Sequence, residues 1–204
     1  GGETPKGSSL ALSLLLRPDF EAEHAPMLTL IMGMAACMAI EKITGLTAEI
    51  KWPNDVVINK KKTTGILTEM GMSEGKISYV VVGIGINLNM ESFPEELAYK
   101  ATSLKIECGY EINRDEIAAA LLFYFEQYYE KFEQTHNLGF LIEEYNNHLV
   151  NRGKEVLIKE KDGEYTGISR GINDKGELLV EKKDGNCVEI FSGEVSVRGL
   201  YGYV

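Results

Sequence analysis

Residues 51 to 67, Lys-Trp-Pro-Asn-Asp-Val-Val-Ile-Asn-Lys-Lys-Lys-Thr-Thr-Gly-Ile-Leu, constrain this chain more than any other stretch. An apolar run ends at Lys51, Trp52, Pro53, Asn54 and Asp55; a short strand follows, then Lys60, Lys61 and Lys62, then Gly65 at the head of another apolar strand. Proline cannot donate to a sheet ladder, so the first strand stops at Pro53. Amide, carboxylate and ammonium groups therefore collect at the ends of neighbouring strands, beside a glycine where a ligand can approach the backbone. That arrangement suits a substrate with an apolar body and negative charge.

Other segments extend this strand-rich reading. Leu10 to Leu16 is short, almost wholly apolar and closed by Arg17-Pro18, which predicts a buried strand. Ala25 to Ile43 is apolar on nearly every face and Gly45 follows, so a central buried helix is expected rather than a membrane span. Ala48 to Trp52 is a strand. Val56 to Asn59 and Thr63 to Met70 form a hairpin through the lysines, and Tyr79 to Asn89 is a buried strand containing Gly83 and Gly85.

Asn113 with Glu116 marks a helix start, and the helix to about Gln134 carries Phe125, Tyr128, Tyr129 and Phe132 at core spacing. A second helix is expected from Leu138 to Leu149. From Asn151 the texture changes to short strands separated by Lys161-Asp162-Gly163, Asn173-Asp174-Lys175-Gly176 and Lys183-Asp184-Gly185. The expected fold is α+β: residues 1–150 form a mixed β-sheet backed by helices, and residues 151–204 a small β-barrel.

With 204 residues and 44% hydrophobic content, the chain can bury one sizeable core plus a small module. A formal charge of −10 gives no bulk attraction to DNA, RNA or anionic membrane, so any phosphate chemistry must rest on local cations. Cys37, Cys108 and Cys187 are far apart without metal-ligand spacing, which suggests neither a disulfide framework nor a zinc site and fits a reducing cytoplasm.

The order of motifs resembles the biotin protein ligases, or biotin–[acetyl-CoA-carboxylase] ligases. The resemblance rests on Lys-Trp-Pro-Asn-Asp, on Lys-Lys-Thr-Thr-Gly-Ile-Leu and on Val-Val-Gly-Ile-Gly-Ile-Asn-Leu-Asn. Thr4 to Gly7, Leu12 to Pro18, Ala101 to Leu104, Gly167 to Ile172 and Ser192 to Arg198 extend it over nearly the whole chain. The family's front, a strand with a Thr-Ser-Thr-Asn-like segment and an Arg- and Gly-rich loop, is not among these 204 residues. Ala11 also departs, standing where some relatives carry an aromatic residue beside the biotin ring.

The resemblance implies a catalytic domain followed by an SH3-like barrel. It implies ATP-dependent attachment of biotin, through biotinyl-5'-AMP, to a lysine of a biotin carboxyl carrier protein domain, with Mg²⁺ as the metal. A lipoate ligase is the nearest rival enzyme, but its motifs differ around Lys-Trp-Pro-Asn. A non-catalytic biotin or biotinyl-AMP sensor is the rival of another class. No basic recognition helix stands in these residues, so no nucleic-acid partner is expected through them. A homodimer is left open.

By resemblance, Lys62 reaches the biotin carboxyl group and the α-phosphate, against a plain reading as a solvated hairpin lysine. Asn54 and Asp55 make nucleotide and Mg²⁺-phosphate contacts, Asp55 also being the catalytic partner and candidate metal contact; otherwise they are turn formers. Asn87 joins the nucleotide side; Lys51 either joins it as a phosphate contact or is a strand-end charge, and Arg198 and Glu194 stand on the ATP side or else serve in surface salt bridges. Gly65 and Gly83, together with Gly85, floor a biotin pocket or else mark bulges and close helix packing. Leu67, Ile86, Ser13 and Trp52 complete the biotin set, Trp52 as core and pocket wall at once and Ser13 as a hydrogen-bond partner if its strand lines the pocket, otherwise as a core-facing residue.

Overall fold

The computed structural model describes residues 6–192, 196–200 and 202–204. Thr4, Pro5 and the Gly193-Glu194-Val195 part of the C-terminal motif lie outside the described residues.

Five strands form the first sheet: β1 (Ser9–Leu16), β2 (Glu49–Lys51), β3 (Asp55–Ile58), β4 (Lys61–Ser73) and β5 (Lys76–Asn87). Their order is β1-β5-β4-β3-β2, antiparallel at every strand pair. The sheet expected to be mixed is thus antiparallel, because turns too short for a crossover link β2 through β5. Parallel pairing is confined to the isolated bridges Ile50–Leu149 and Lys62–Ala101 among the described residues.

Tight turns set the register. Asn59 and Lys60 both have positive φ, 49° and 64°, as a two-residue primed turn requires, and Ile58 faces Lys61 across it. Only Lys60 of the three lysines is therefore in the turn; Lys61 and Lys62 belong to β4. Glu74 and Gly75, at 50° and 77°, turn β4 into β5 in the same way.

The helical stretch Ala22–Thr44, which ends in helix α1 (Met27–Thr44), is long and apolar enough to cross a membrane, yet 67% of its most apolar window is buried inside the fold. It ends at Gly45, whose left-handed backbone lets its N–H reach Glu41 O at 2.9 Å. One face of the sheet rests on α1: Gly33 brings the helix against Ile66, and the Thr29 and Thr68 hydroxyls are 2.7 Å apart. After the short helices α2 (Glu95–Ala98) and α3 (Leu104–Cys108), α4 (Arg114–Thr135) packs on α1. Asn113 Oδ1 caps α4 by accepting from Asp115 N and Glu116 N at 2.9 and 3.1 Å. Phe125, Tyr128 and Phe132 are buried as their spacing predicts. Helix α5 (Ile142–His148) begins later than expected, because Leu138 N bonds Asp174 O and Leu141 N bonds Leu138 O in a preceding turn.

The second sheet contains β6 (Glu155–Glu160), β7 (Gly163–Ile172), β8 (Leu178–Glu181), β9 (Cys187–Ile190) and β10 (Ser196–Gly199), antiparallel in the order β10-β6-β7-β8-β9. It docks firmly on the first. Trp52 Nε1 donates to Gly176 O at 3.0 Å, Val150 N to Ile50 O at 2.9 Å and Ile172 N to Asn146 Oδ1 at 2.9 Å. Buried side chains from both sheets belong to one continuous core.

Candidate functional site

The face of the first sheet turned away from α1 is open. Ala11, Ser13 and Leu15 of β1, Gly83 and Gly85 of β5, and Gly65 and Leu67 of β4 lie there by strand alternation. Register makes the glycines adjacent: Gly65 faces Gly85, while Gly83 faces both Leu67 and Ser13. A side chain at Gly85 would meet nothing within 4 Å, so its absence leaves a flat floor. A cleft of about 350 Å³ results, lined by Ala11, Asn54, Asp55, Lys62, Gly65, Leu67, Gly83 and Gly85 among others. Leu67 is 63% exposed in it, an apolar side chain left for a ligand to cover.

One end of this cleft is charged. Lys62 Nζ lies 2.7 Å from Asp55 Oδ1, with the Lys62 side chain 41% exposed and that of Asp55 10%. A strand bulge accounts for the meeting. Val57 pairs with Lys62 but Val56 pairs with Thr64, so Thr63 is the extra residue. Without it, Lys62 and Gly65, three residues apart, would face opposite sides of the sheet. With it, the Lys62 Cε and Nζ lie 3.3 Å from where a Gly65 Cβ would stand. Thr63 Oγ1 bonds Val56 O at 3.3 Å, and the Lys62 backbone is clamped by Lys100 O and Thr102 N at 2.8 and 2.9 Å.

Asn54 lines the cleft beside Asp55, its amide donating to Ile66 O at 3.3 Å. Asn87 ends β5, and its Nδ2 donates to Thr102 O at 3.1 Å. Lys51 pairs with Asp55 across β2 and β3, and its Nζ sits 4.6 Å from the centre of the Tyr203 ring. Burial pushes the Lys51 ammonium below its ordinary value; Asp55 opposes this, and Arg198 and Lys62 add to it. Lys62 and Lys51 thus stand beside the Asp55 carboxylate, with Arg198 close enough to act on Lys51. Arg198 is exposed on β10, its Nε donating to Ser196 Oγ at 3.3 Å.

Two expected residues stand elsewhere. Ile86 is fully buried, because alternation turns it into the core between Gly85 and Asn87. Trp52, 3% exposed, is wedged between the sheets near Leu149, Val156 and Leu178, with its indole on Gly176, and is not a wall of the cleft. Ser13 is exposed beside the glycine floor, its Oγ 3.6 Å from a Cβ placed on Gly83.

Sequence reasoning missed Tyr203. Its hydroxyl donates a short hydrogen bond to Asp55 Oδ2 across 148 residues of chain. Burial, then the bond to Asp55, pushes the phenol well above its ordinary value, so it remains a donor. Nothing in the pattern Gly-Tyr-Val singles it out.

Fold and site together define a class: an antiparallel sheet with one open, glycine-floored face and charged side chains gathered at one end of it. Residues 3–87 match the Biotin/lipoate A/B protein ligase family, and residues 153–198 match the Biotin protein ligase C terminal domain. The chain is similar to the crystal structure of the biotin protein ligase of Aquifex aeolicus, at a TM-score of 0.83 and 33% identity over 94% of this chain and 82% of that one. A structure of that ligase in complex with biotin and ATP gives 0.81 and 32%, covering 94% and 78%. Among curated relatives, the bifunctional ligase/repressor BirA of Bacillus spizizenii is 37% identical over 94% of this chain. The chain spans 59% of that relative's length. The biotin–[acetyl-CoA-carboxylase] ligase of Paracoccus denitrificans is 29% identical over 93% of this chain and 82% of its own length. The chain belongs to the biotin protein ligase family.

Proposed function

We propose that this protein joins biotin to a lysine of a biotin carboxyl carrier protein domain in two ATP-dependent steps. In the first, a biotin carboxylate oxygen attacks the α-phosphorus of ATP, giving biotinyl-5'-AMP and pyrophosphate. In the second, the lysine ε-amine attacks the acyl carbon, the amide forms, AMP leaves and the amine loses a proton. The observation that carries this reading is the Lys62–Asp55 pair at 2.7 Å at one end of the glycine-floored cleft.

The chain's own groups supply positioning and charge. The glycine floor and Leu67 take the apolar ring system. Lys62 stands where carboxylate and phosphate would meet, offsetting their repulsion and stabilising charge that grows in the transition state. Lys51 and Arg198 face the polyphosphate side, Asn54 and Asn87 the nucleotide. Asp55 orients the Lys62 ammonium and is the base assigned to the proton of the incoming amine.

Among the described residues there is no cluster of three metal-ligating side chains, so a metal held by the protein alone does not fit. A Mg²⁺ carried on phosphate oxygens and water needs few protein ligands, and Asp55, whose oxygens are engaged by Lys62 and Tyr203, would meet it through water. Bound there, the ion would neutralise phosphate charge.

Three measurements on one preparation test the proposal: pyrophosphate release with biotin and MgATP, biotinyl-AMP by mass spectrometry, and labelling of a carrier domain. All three are expected. Adenylate without carrier labelling would point to a sensor, and no adenylate would refute the ligase reading.

A further inference from the structure

We propose that Tyr203 is a positioning residue for Asp55: its hydroxyl fixes the carboxylate plane so that Lys62 is aimed into the cleft. This rests on the ligase reading above and adds to it a residue from the second half of the chain.

A carboxylate turns easily about its last torsion, where the energy wells are broad. Partners on separate oxygens remove that freedom. In Asp55, Oδ1 is paired with Lys62 at 2.7 Å and Oδ2 accepts from the Tyr203 hydroxyl. Lys62 carries a long, partly exposed side chain, so its ammonium position depends on the carboxylate it meets. Without Tyr203, Asp55 could follow Lys62 outward, and the ammonium would leave the floor beside Gly65.

Tyr203 is itself held in place. The Lys51 ammonium lies 4.6 Å from its ring centre, within cation–π range. The tail reaches this position by folding back over Gly199, where any Cβ would collide with the Val204 carbonyl. A glycine that permits the tail and a phenol aimed at a nearly buried carboxylate are two independent features with one effect. Tyr203 touches Asp55 and acts through it, so it is not assigned to the reacting atoms.

The test uses the full-length protein and four variants: Tyr203→Phe, Gly199→Ala, Asp55→Ala, and Tyr203→Phe combined with Asp55→Ala. Kinetic constants come from pyrophosphate release, biotin affinity from calorimetry and Tm from melting. Tyr203→Phe keeps the ring under Lys51 and loses a bond to a charged acceptor, so kcat for adenylation should fall roughly tenfold or more. Biotin affinity should move little, because the glycine floor and Leu67 do not feel the hydroxyl, while Tm should fall modestly, because a nearly buried carboxylate loses a partner. Gly199→Ala should lower kcat in the same way by keeping the tail off its seat. In the Asp55→Ala background, Tyr203→Phe should cost nothing further, since no carboxylate remains to position.

Normal kcat in Tyr203→Phe would overturn the inference. So would a faster Tyr203→Phe enzyme, which would make the contact a brake, and so would losses that add in the double variant. A kcat loss matched by a lower Tm and weaker biotin binding would make the role structural and overturn it too. No pyrophosphate from the wild type would overturn the ligase reading first, and this inference with it.

Discussion

Gly85 is the position where a single added side chain separates ligand binding from stability most cleanly. A Cβ there meets nothing within 4 Å, and the side chain would stand on the cleft floor between Ala11 and Gly65, its register partners. Valine suits a strand better than glycine does, so Gly85→Val should leave stability unchanged or raise it by up to about 1 kcal/mol. The same side chain occupies the space assigned to the ring system of biotin. If roughly 100 Å² of apolar ligand contact is lost at about 25 cal/mol per Å², the cost is near ~2.5 kcal/mol. That is a weakening of about 60-fold in Kd. Calorimetry with biotin, paired with a melting curve, reads both quantities. Gly167→Ala is the control, because its Cβ would press on Val180 and on Glu181 O 2.8 Å away, far from the cleft. It should lower Tm and leave the affinity of the folded protein alone. Biotin binding of wild-type strength in Gly85→Val would refute the placement of the ligand on the glycine floor. Weakened binding with a lowered Tm would refute the separation.

Three further outcomes follow from the same geometry. Lys62→Ala should slow pyrophosphate release by on the order of 10²–10³ with little change in Tm, as for loss of a preorganised charge, and a near-normal rate would remove Lys62 from the mechanism. Alkylation of the native protein should modify exposed Cys187 and spare Cys37, whose burial pushes its thiol well up; peptide mapping before and after denaturation checks this. Burial raises Tyr128, Tyr145 and Tyr203 from the ordinary value of 10.0, and Tyr129 to about 12. Groups held protonated by the fold stabilise it fully below their unfolded values and lose that contribution as pH rises through their folded ones. Stability should therefore fall above pH 10, seen as a lower midpoint in urea there than at pH 8.

What the sequence made legible was local. Apolar runs between Gly, Pro and Asn predicted the strands that follow Asp55 and contain Gly65, though they left Lys62 in the turn, and the spacing of Phe125, Tyr128 and Phe132 predicted their burial in α4. Period-two alternation was also enough to put Gly83, Gly85 and Asn87 on one face and Ile86 on the other. Ile86 entered the pocket set through the family resemblance alone, and alternation buries it. The bulge at Thr63 was not legible, because nothing in Lys-Lys-Thr-Thr-Gly tells which residue is left unpaired, yet it decides that Lys62 and Gly65 share a face. Trp52 on Gly176 and Asp55 on Tyr203 join residues 124 and 148 positions apart. Such pairings depend on how two sheets dock, which local pattern does not encode.

That docking changes what the compositional break near residue 150 means. The texture of the chain shifts there, but hydrogen bonds and core packing run across it. Val150 N bonds Ile50 O, the indole of Trp52 reaches across to Gly176, and buried residues of β6, β7 and β8 share a core with α1. Chemically, the two halves meet at Asp55. From the first sheet it receives Lys62, and from the far end of the chain Tyr203, with Lys51 lying over the phenol and Arg198 within electrostatic reach. The apolar floor belongs wholly to the first sheet, whereas the charged end draws on both. Binding of the ring system and activation of its carboxylate are thus built from different parts of the sequence. Disturbing the second sheet should reach the charge-bearing step before it reaches the floor.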